Sequence, residues 1–528
     1  MFEELPKTRI FWVGLTAFRM WNALFVRTSF NPDEYWQSTE VAHRLVFGYG
    51  YLTWEWQDDA QLRGFAHPAL FAGLYKFLEL LNLDSRWAVA YGPRLLQGLL
   101  SVANDYFLYK LAWIFFDAKT AKWALLCQLF SWFTFYVMVR PFSNCVETLC
   151  TTAALAYWPW KFLEEGADKK SDGVASVKRS NRTLALAFAA LGVLFRPTNA
   201  IIWLYPGIVH FLQTRDRAFL MLGLVVPIAI VTTLTMLCID RLGYGEWTFV
   251  PFNFFKFNVL QGKDKLYGEH PWSWYFSQGY PAIVGTTLPI AIGGYLTVPP
   301  SKKDLGRLIM WALFVYSNAA HKEFRFVLPL LPPAFVYAGY CLRNLERKLY
   351  AHFRERTQWN LLRLAVFSVV VPNVLSAYYL SRIHQRAPAE VMDYLAERIQ
   401  ENPEASIHFW TPCHATPYYS YLHQNVSMWF PDCSPANRER TEGCESHQLE
   451  RDPRHFLTNL YHLDDVVSDS SSMELPTYVV TYSTIAAKIR PLLLGTGFVE
   501  AASFQHSDVS GDADSSEIVS KMLVYKRQ

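Results

Sequence analysis

Charge is scarce in this chain. Lys, Arg, Asp and Glu make up 18% of its 528 residues, while 52% are hydrophobic and 16% aromatic. A soluble domain carries about a quarter charged residues, so a water-soluble enzyme of this length is excluded and a membrane protein is expected. Net charge is nearly absent too, at +3, and gives no electrostatic ground for a nucleic-acid or acidic partner. Cysteines number only eight; none has a zinc-site spacing with His, and Cys413-His414 alone is weak. No internal repeat is visible, whereas a transporter of this size is commonly built from inverted halves. The first apolar stretch, 8–28, lacks a small-residue cleavage site and reads as an uncleaved anchor, though Arg19 and Asn22 interrupt it. Mean hydropathy is only +0.07, so a substantial part of the chain must lie in water.

What is present is a series of apolar runs. After 8–28, spans read at about 88–116, 121–139, 143–163, 183–195, 198–213, 217–239, 281–298, 308–320, 325–342 and 360–380. The apolar patch at 67–83 is short for a span and contains Lys76 and Glu79, so it reads as interfacial or re-entrant. Basic residues fall on every second connection: Lys119 and Lys122; Lys169, Lys170, Lys178 and Arg179; Arg215 and Arg217; Lys302, Lys303 and Arg307; and Arg343 to Arg356. The positive-inside rule makes these cytosolic. The expectation is a polytopic α-helical membrane protein of about eleven spans, with a cytosolic N-terminus and a lumenal tail. It divides into a membrane domain over 1–380 and a lumenal domain over 381–528; the first contains a large first lumenal loop at 29–87, a cytosolic linker at 164–182 and a lumenal loop at 240–280.

The tail reads as a small α/β domain. Residues 390–400 form an amphipathic helix pattern, 406–410 and 477–481 read as buried strands, and 507–517 as a polar loop before a last strand at 522–526. The stretch 169–182 reads as disordered. Cys127, Cys145, Cys150, Cys238 and Cys341 lie in or beside spans and read as apolar packing. Cys413, Cys433 and Cys444 lie in the lumenal tail, where a disulfide is permitted but connectivity is not readable; Cys413 with Cys433 is our choice. Asn425-Val-Ser is a sequon on the lumenal side, whereas Asn181-Arg-Thr falls in the cytosolic linker and should stay bare.

The densest polar stretch is 31–56, NPDEYWQSTEVAHRLVFGYGYLTWEW. Pro32 suits a first helical position, and Asp33 and Glu34 suit a first turn, where free N–H groups and the dipole favour anions. Trp36, Val41, Leu45 and Phe47 give an apolar stripe, with Gln37, Glu40, His43 and Arg44 on polar positions, so an amphipathic helix on the membrane surface is expected. The other polar clusters fall on that same lumenal face: Arg140 to Asn144 with Glu147, Arg196-Pro-Thr, the loop 266–275, and His321-Lys-Glu-Phe-Arg325. Singly, such residues are most often snorkelling cations or an aromatic belt. Together, acids, Arg and His at one bilayer edge are costly unless they line a polar cavity. A carboxylate pair, guanidinium groups and aromatic platforms there suit a lipid-phosphate sugar donor: Arg binds the phosphate, a carboxylate takes the proton of an attacking hydroxyl, and Trp or Tyr faces sugar and isoprenoid.

PDEYWQSTEVAHRLVFGYGYLTWEW, LRGFAHP, RPFSNCVET, RPT, LYGEHPWSWYFSQGYP, HKEFRF and TPCHATPYYSYLH together resemble glycosyltransferase family 22 of the GT-C superfamily. The resemblance implies an endoplasmic-reticulum enzyme that moves mannose from dolichyl phosphate mannose to a GPI-anchor precursor, adding its third mannose in α-1,2 linkage with inversion and without a metal or cofactor. Carried over, Asp33 is the candidate base for the acceptor hydroxyl and Glu34 its companion. Arg196, His321, Lys322 and Arg325 are assigned to the donor phosphate from charge and side, and Arg140, His270, Trp272 and Trp274 to acceptor or lipid contacts. Siblings adding the fourth GPI mannose or acting on the dolichol-linked N-glycan precursor share the acid pair and are the alternative. Outside that class stand a lipid transporter, which would place its charges at the midplane of broken helices, and a structural subunit, which needs no acid pair.

Overall fold

The computed structural model describes residues 9–57, 60–163, 181–352, 355–434, 443–463, 473–507 and 521–528. Most of the linker read as disordered and most of the loop at 507–517 lie outside these residues. The chain forms two compact units: Met1–Leu24, Asp58–His67 and Pro93–Tyr378 in one; Phe25–Gln57, Pro68–Gly92 and Tyr379–Gln528 in the other.

The first unit is helical. Arg9–Phe25, the Pro93-containing helix Arg86–Phe115, Ser143–Tyr157, Arg182–Phe195, Ala200–Gln213 and Val226–Tyr244 occupy apolar runs of the sequence. The run at 121–139 is broken: one helix ends at Phe130 and the next starts at Trp132, with Ser131 accepting a cap bond from the Thr134 N–H. Among the described residues three stretches are long and apolar enough to cross a membrane: Phe219–Tyr244, Phe324–Ala351 and Val366–Glu401. The charge in the first apolar helix is matched inside the unit. Arg19 donates through Nε and Nη2 to the two carboxylate oxygens of Asp105, each at 2.7 Å, with both side chains fully buried. Gln128 also donates to Asp105, and the Asn22 amide donates to the Phe135 carbonyl at 2.9 Å. A fork of this kind offsets the cost of placing two charges in an apolar interior.

The second unit is built on a mixed five-stranded sheet, β1 (Ile407–Trp410), β2 (Met428–Trp429), β3 (Tyr478–Tyr482), β4 (Phe498–Gln505) and β5 (Lys521–Arg527), in the order β2-β1-β3-β5-β4. β1 runs parallel to β2 and β3, and β5 is antiparallel to β3 and β4. All four residues of β1 are buried, as expected of a strand covered on both faces. One cover is helix Ala387–Glu401, which buries Val391, Met392, Leu395, Ala396 and Ile399 along one stripe. That core includes residues far away in sequence: Tyr35, Trp36, Ala90 and Tyr91 join Ile407, Phe409, Tyr418 and Tyr421. The opposite face packs Trp410 and Val479 against Leu449, Leu457, Ile489 and Leu493. The sequence division put all of 29–87 with the membrane domain; here 25–57 and 68–92 pack with the residues from 379 onward, because the aromatics at 35–36 and 91 have their apolar partners there.

Burial also makes this unit acid-sensitive. His408, His414 and His506 are each held down at about 4, and His43 at about 3, by burial. Their stabilising effect is complete above the unfolded value of about 6.5 and is lost as pH falls, because the unfolded chain then binds protons that the folded unit refuses. At pH 5 each costs about 2 kcal/mol. Glu40, raised to about 7, and Glu390, also raised by burial, change stability in the opposite sense, but they are outnumbered by these histidines and by His423, lowered for the same reason. Amide exchange in β1 and β3 should therefore accelerate at least tenfold relative to its intrinsic rate between pH 7 and pH 5. Equal protection at both values would contradict the neutral burial of these histidines.

Candidate functional site

The acid pair opens a helical run in the second unit. Asn31 Oδ1 accepts from the Asp33 N–H at 3.0 Å and the Asn31 carbonyl from the Glu34 N–H at 3.1 Å, so Asn31 closes the turn that starts it. The run continues as a wide turn over Tyr35–Thr39 and as helix Glu40–Phe47, ended by Gly48 at φ 79°, a left-handed cap that favours glycine. Glu34 is fully buried, whereas Asp33 keeps part of its surface open.

The face that packs keeps half of the apolar stripe read from the sequence, Trp36 and Val41 being buried while Leu45 is exposed and Phe47 half-buried. Trp36, Thr39, Glu40 and His43, spaced three, one and three apart, form one face of the run and all bind the segment Thr416–His423. Trp36 Nε1 donates to the Thr416 carbonyl (3.1 Å), and the hydroxyls of Thr39 and Ser420 lie 3.1 Å apart. Glu40 Oε1 accepts from the Tyr418 N–H (2.7 Å), the Ser420 N–H (3.2 Å) and the Ser420 hydroxyl (2.6 Å), and Oε2 from the Ser420 N–H (3.1 Å). His43 Nε2 lies 3.0 Å from His423 Nδ1, and its Nδ1 lies 3.2 Å from the Tyr49 carbonyl. Since a carbonyl only accepts, His43 carries its proton on Nδ1 and takes one from His423. The expectation of a helix lying on the membrane surface with Glu40 and His43 outward is thus corrected: both are buried against the tail, while Leu45 is exposed. Burial pushes the Glu40 carboxyl up to about 7, against the lowering effect of its Ser420 and Tyr418 bonds.

The segment is anchored in turn. Cys413 and Cys433 form a disulfide, with Cα atoms 6.1 Å apart, and Cys444 is a free thiol. The His414 ring lies tilted against Trp36, ring centroids 4.8 Å apart, and Arg86 bonds the Tyr421 carbonyl (3.1 Å) and pairs with Asp393. Among the described residues the only group of three His, Cys, Asp or Glu ligand atoms close enough to share a metal is Cys413, His414 and Cys433, and the disulfide consumes two of its three donors. Asn425 is exposed, consistent with an accessible sequon, while Asn181 caps helix Arg182–Phe195 by accepting from the Leu184 N–H at 3.1 Å.

The first unit gathers the basic residues. Arg196 pairs through Nε with the buried Glu147 at 3.2 Å and donates to Ser143 Oγ at 3.3 Å. Asn199 braces the same carboxylate (3.0 Å), a partner signalled by nothing but its place after Arg-Pro-Thr. Arg325 forks onto Glu323 with bonds of 2.6 and 2.7 Å, and His321 Nε2 lies 3.1 Å from the same carboxylate. Burial alone would push Glu323 up; the Arg325 charge and bonds outweigh it and hold it well below the usual carboxylate range. The guanidinium groups of Arg196 and Arg325 share the Phe326 ring, at 5.0 and 5.5 Å from its centroid, so two of the assigned phosphate ligands meet at one aromatic ring.

The other assigned residues take different places. Lys322 is turned onto backbone, donating to the carbonyls of His270 (2.9 Å) and Ala319 (2.5 Å); with the His270 N–H on the Ala320 carbonyl at 3.1 Å it ties the 266–275 loop to the His321–Arg325 segment. Trp274 is buried in a stack on His270, centroids 4.5 Å apart, while Trp272 is exposed beside Phe276. Arg140 is fully buried, with Nε on the Tyr136 carbonyl at 2.9 Å and its guanidinium 4.3 Å from the Tyr136 ring. It does not reach outward as a span-end arginine would.

Comparison with known proteins fits these features. Residues 10–423 match the model of the Alg9-like mannosyltransferase family. The chain belongs to that family. The match runs from the first apolar helix to the end of the segment that binds Glu40, so it takes in both the acid pair and the Arg cluster. The chain is 39% identical to mannosyltransferase APTG1 of Arabidopsis thaliana, over 96% of its own length and 90% of the relative's. To GPI alpha-1,2-mannosyltransferase 3 of Bos taurus it is also 39% identical, over 97% and 88%. Its fold resembles that of ArnT from Cupriavidus metallidurans, with a TM-score of 0.59 at 12% identity over 98% of this chain and 97% of the other. The mannosyltransferase is thus a membrane enzyme of GT-C fold.

Proposed function

We propose that this mannosyltransferase transfers mannose from dolichyl phosphate mannose to a two-mannose GPI precursor, forming an α-1,2 linkage with inversion, in the endoplasmic-reticulum membrane with its site on the lumenal side of about eleven spans. The observation that carries the reading is the nearly end-to-end likeness to GPI alpha-1,2-mannosyltransferase 3. In the step, the acceptor 2-hydroxyl attacks the anomeric carbon, the bond from that carbon to the phosphate oxygen breaks, dolichyl phosphate leaves with the electron pair, and Asp33 takes the hydroxyl proton. Asp33 is the base because it keeps open surface; Glu34 is sealed and holds the turn. Arg196, Arg325 and His321 offset the charge developing on the phosphate, the role in which fixed donors contribute most. Lys322 shapes the loop around them, and His270 and Trp272 face acceptor or lipid. The reaction needs no metal, because a phosphate already leaves well once its charge is matched.

Radiolabelled dolichyl phosphate mannose given to microsomes with a two-mannose GPI acceptor should yield a third mannose removable by an α-1,2-specific mannosidase. Transfer only to a three-mannose GPI acceptor, or only to an N-glycan precursor, would keep the chemistry and move the enzyme to a sibling's step.

A further inference from the structure

We infer that the tail segment Thr416–His423 holds the catalytic acid in register, and that Glu40 is the positioning residue through which it does so; this deepens the proposed reaction and rests on it. Glu40 sits on the same unbroken helical run as Asp33, seven residues on, about 10 Å along the axis. Its carboxyl accepts four bonds from Tyr418 and Ser420. A carboxylate with no exposed surface is an expensive way to fasten one helix to a turn, since apolar residues would pack there at no desolvation cost. What it adds is direction: two backbone N–H groups and one hydroxyl fix the helix both along and around its axis. Rotation matters, because a tilt of about 6° on that lever moves the Asp33 carboxylate by about 1 Å, enough to lower a rate about a hundredfold. Trp36, Thr39 and His43 hold the same face but each through a single bond to the segment, so they keep the helix docked while Glu40 sets its angle. Ser420 shares the task, as it supplies both its N–H and its hydroxyl.

Three full-length chains assayed in microsomes test this. Glu40→Ala should lower kcat about 30- to 100-fold, with the KM for donor and acceptor changed less than about threefold. Adding Thr39→Cys and Ser420→Cys, whose hydroxyls now lie 3.1 Å apart, replaces the brace by a covalent tether. It should recover at least tenfold over a Glu40→Ala, Thr39→Cys chain that cannot cross-link. A loss confined to folding would not be repaired in kcat at constant KM. Wild-type kcat in Glu40→Ala, a tether that forms without recovery, or a tether that does not form overturns the inference. If Glu40→Ala does not accumulate, Ser420→Ala decides: it keeps the Glu40 bonds to backbone N–H and should lose several-fold in kcat, and an unchanged kcat overturns the inference. Variants are scored relative to wild type on whichever mannosyl acceptor wild type uses, so failure of the GPI assignment reads separately, as absence of wild-type transfer to the two-mannose substrate.

Discussion

Asp33→Asn is expected to leave the chain inserted and folded and to reduce mannosyl transfer below detection. The substitution is nearly isosteric, and the contact that starts the helix, Asn31 Oδ1 with the residue 33 N–H at 3.0 Å, uses backbone and survives it. What is lost is the group that accepts the hydroxyl proton, an effect of about 10² to 10⁴ in rate. Little else nearby can replace it: Glu34, the adjacent carboxylate, has no exposed surface. The measurement is single-turnover transfer in microsomes at matched protein, with glycosylation at Asn425 as the check on insertion and folding. Normal turnover would remove Asp33 from the mechanism.

Arg325→Ala should raise the KM for dolichyl phosphate mannose more than tenfold and lower kcat as well, with the KM for the GPI acceptor little changed. Two effects could produce a loss, and they separate cleanly. Removing the guanidinium takes a charge from the phosphate, but it also takes both short bonds from the half-buried Glu323 carboxylate, which keeps His321 at 3.1 Å but loses its main partner, itself a destabilising change. Arg325→Ala with Glu323→Ala removes that carboxylate as well. A donor defect that persists in the double variant belongs to phosphate binding. Recovery of normal donor use would assign Arg325 to neutralising Glu323 and nothing more.

Elements whose own residues are apolar throughout were legible in the sequence. The apolar runs became helices, and the short stretches at 406–410 and 477–481 became β1 and β3, since strands buried on both faces are apolar throughout. β4 was missed because it is an edge strand whose Val499, Glu500 and Ala501 face solvent, leaving no alternation to find. The first loop shows the deeper limit. Periodicity assigns a helix's inner face to its apolar residues, and Trp36, Val41, Leu45 and Phe47 satisfy that rule. Trp36 and Val41 do face inward, but so do Thr39, Glu40 and His43, because their hydrogen-bonding partners come from a segment that no local window contains. Arg140, assigned to acceptor or lipid contacts, is fully buried on the Tyr136 carbonyl and ring, partners one helical turn back that nothing in an apolar run advertises.

Glu40 and Ser420 are separated by 380 residues, and that interval is also one of time. At about 5–20 residues per second, a ribosome needs roughly 20–80 s to go from one to the other. Throughout that period the acid-bearing helix is already made while the turn that orients it is not. The enzyme therefore stays unprimed against donor lipid until synthesis is nearly complete. A chain stopped between Arg325 and Thr416 would hold every charged residue assigned to the reaction and still lack the alignment that puts Asp33 to use.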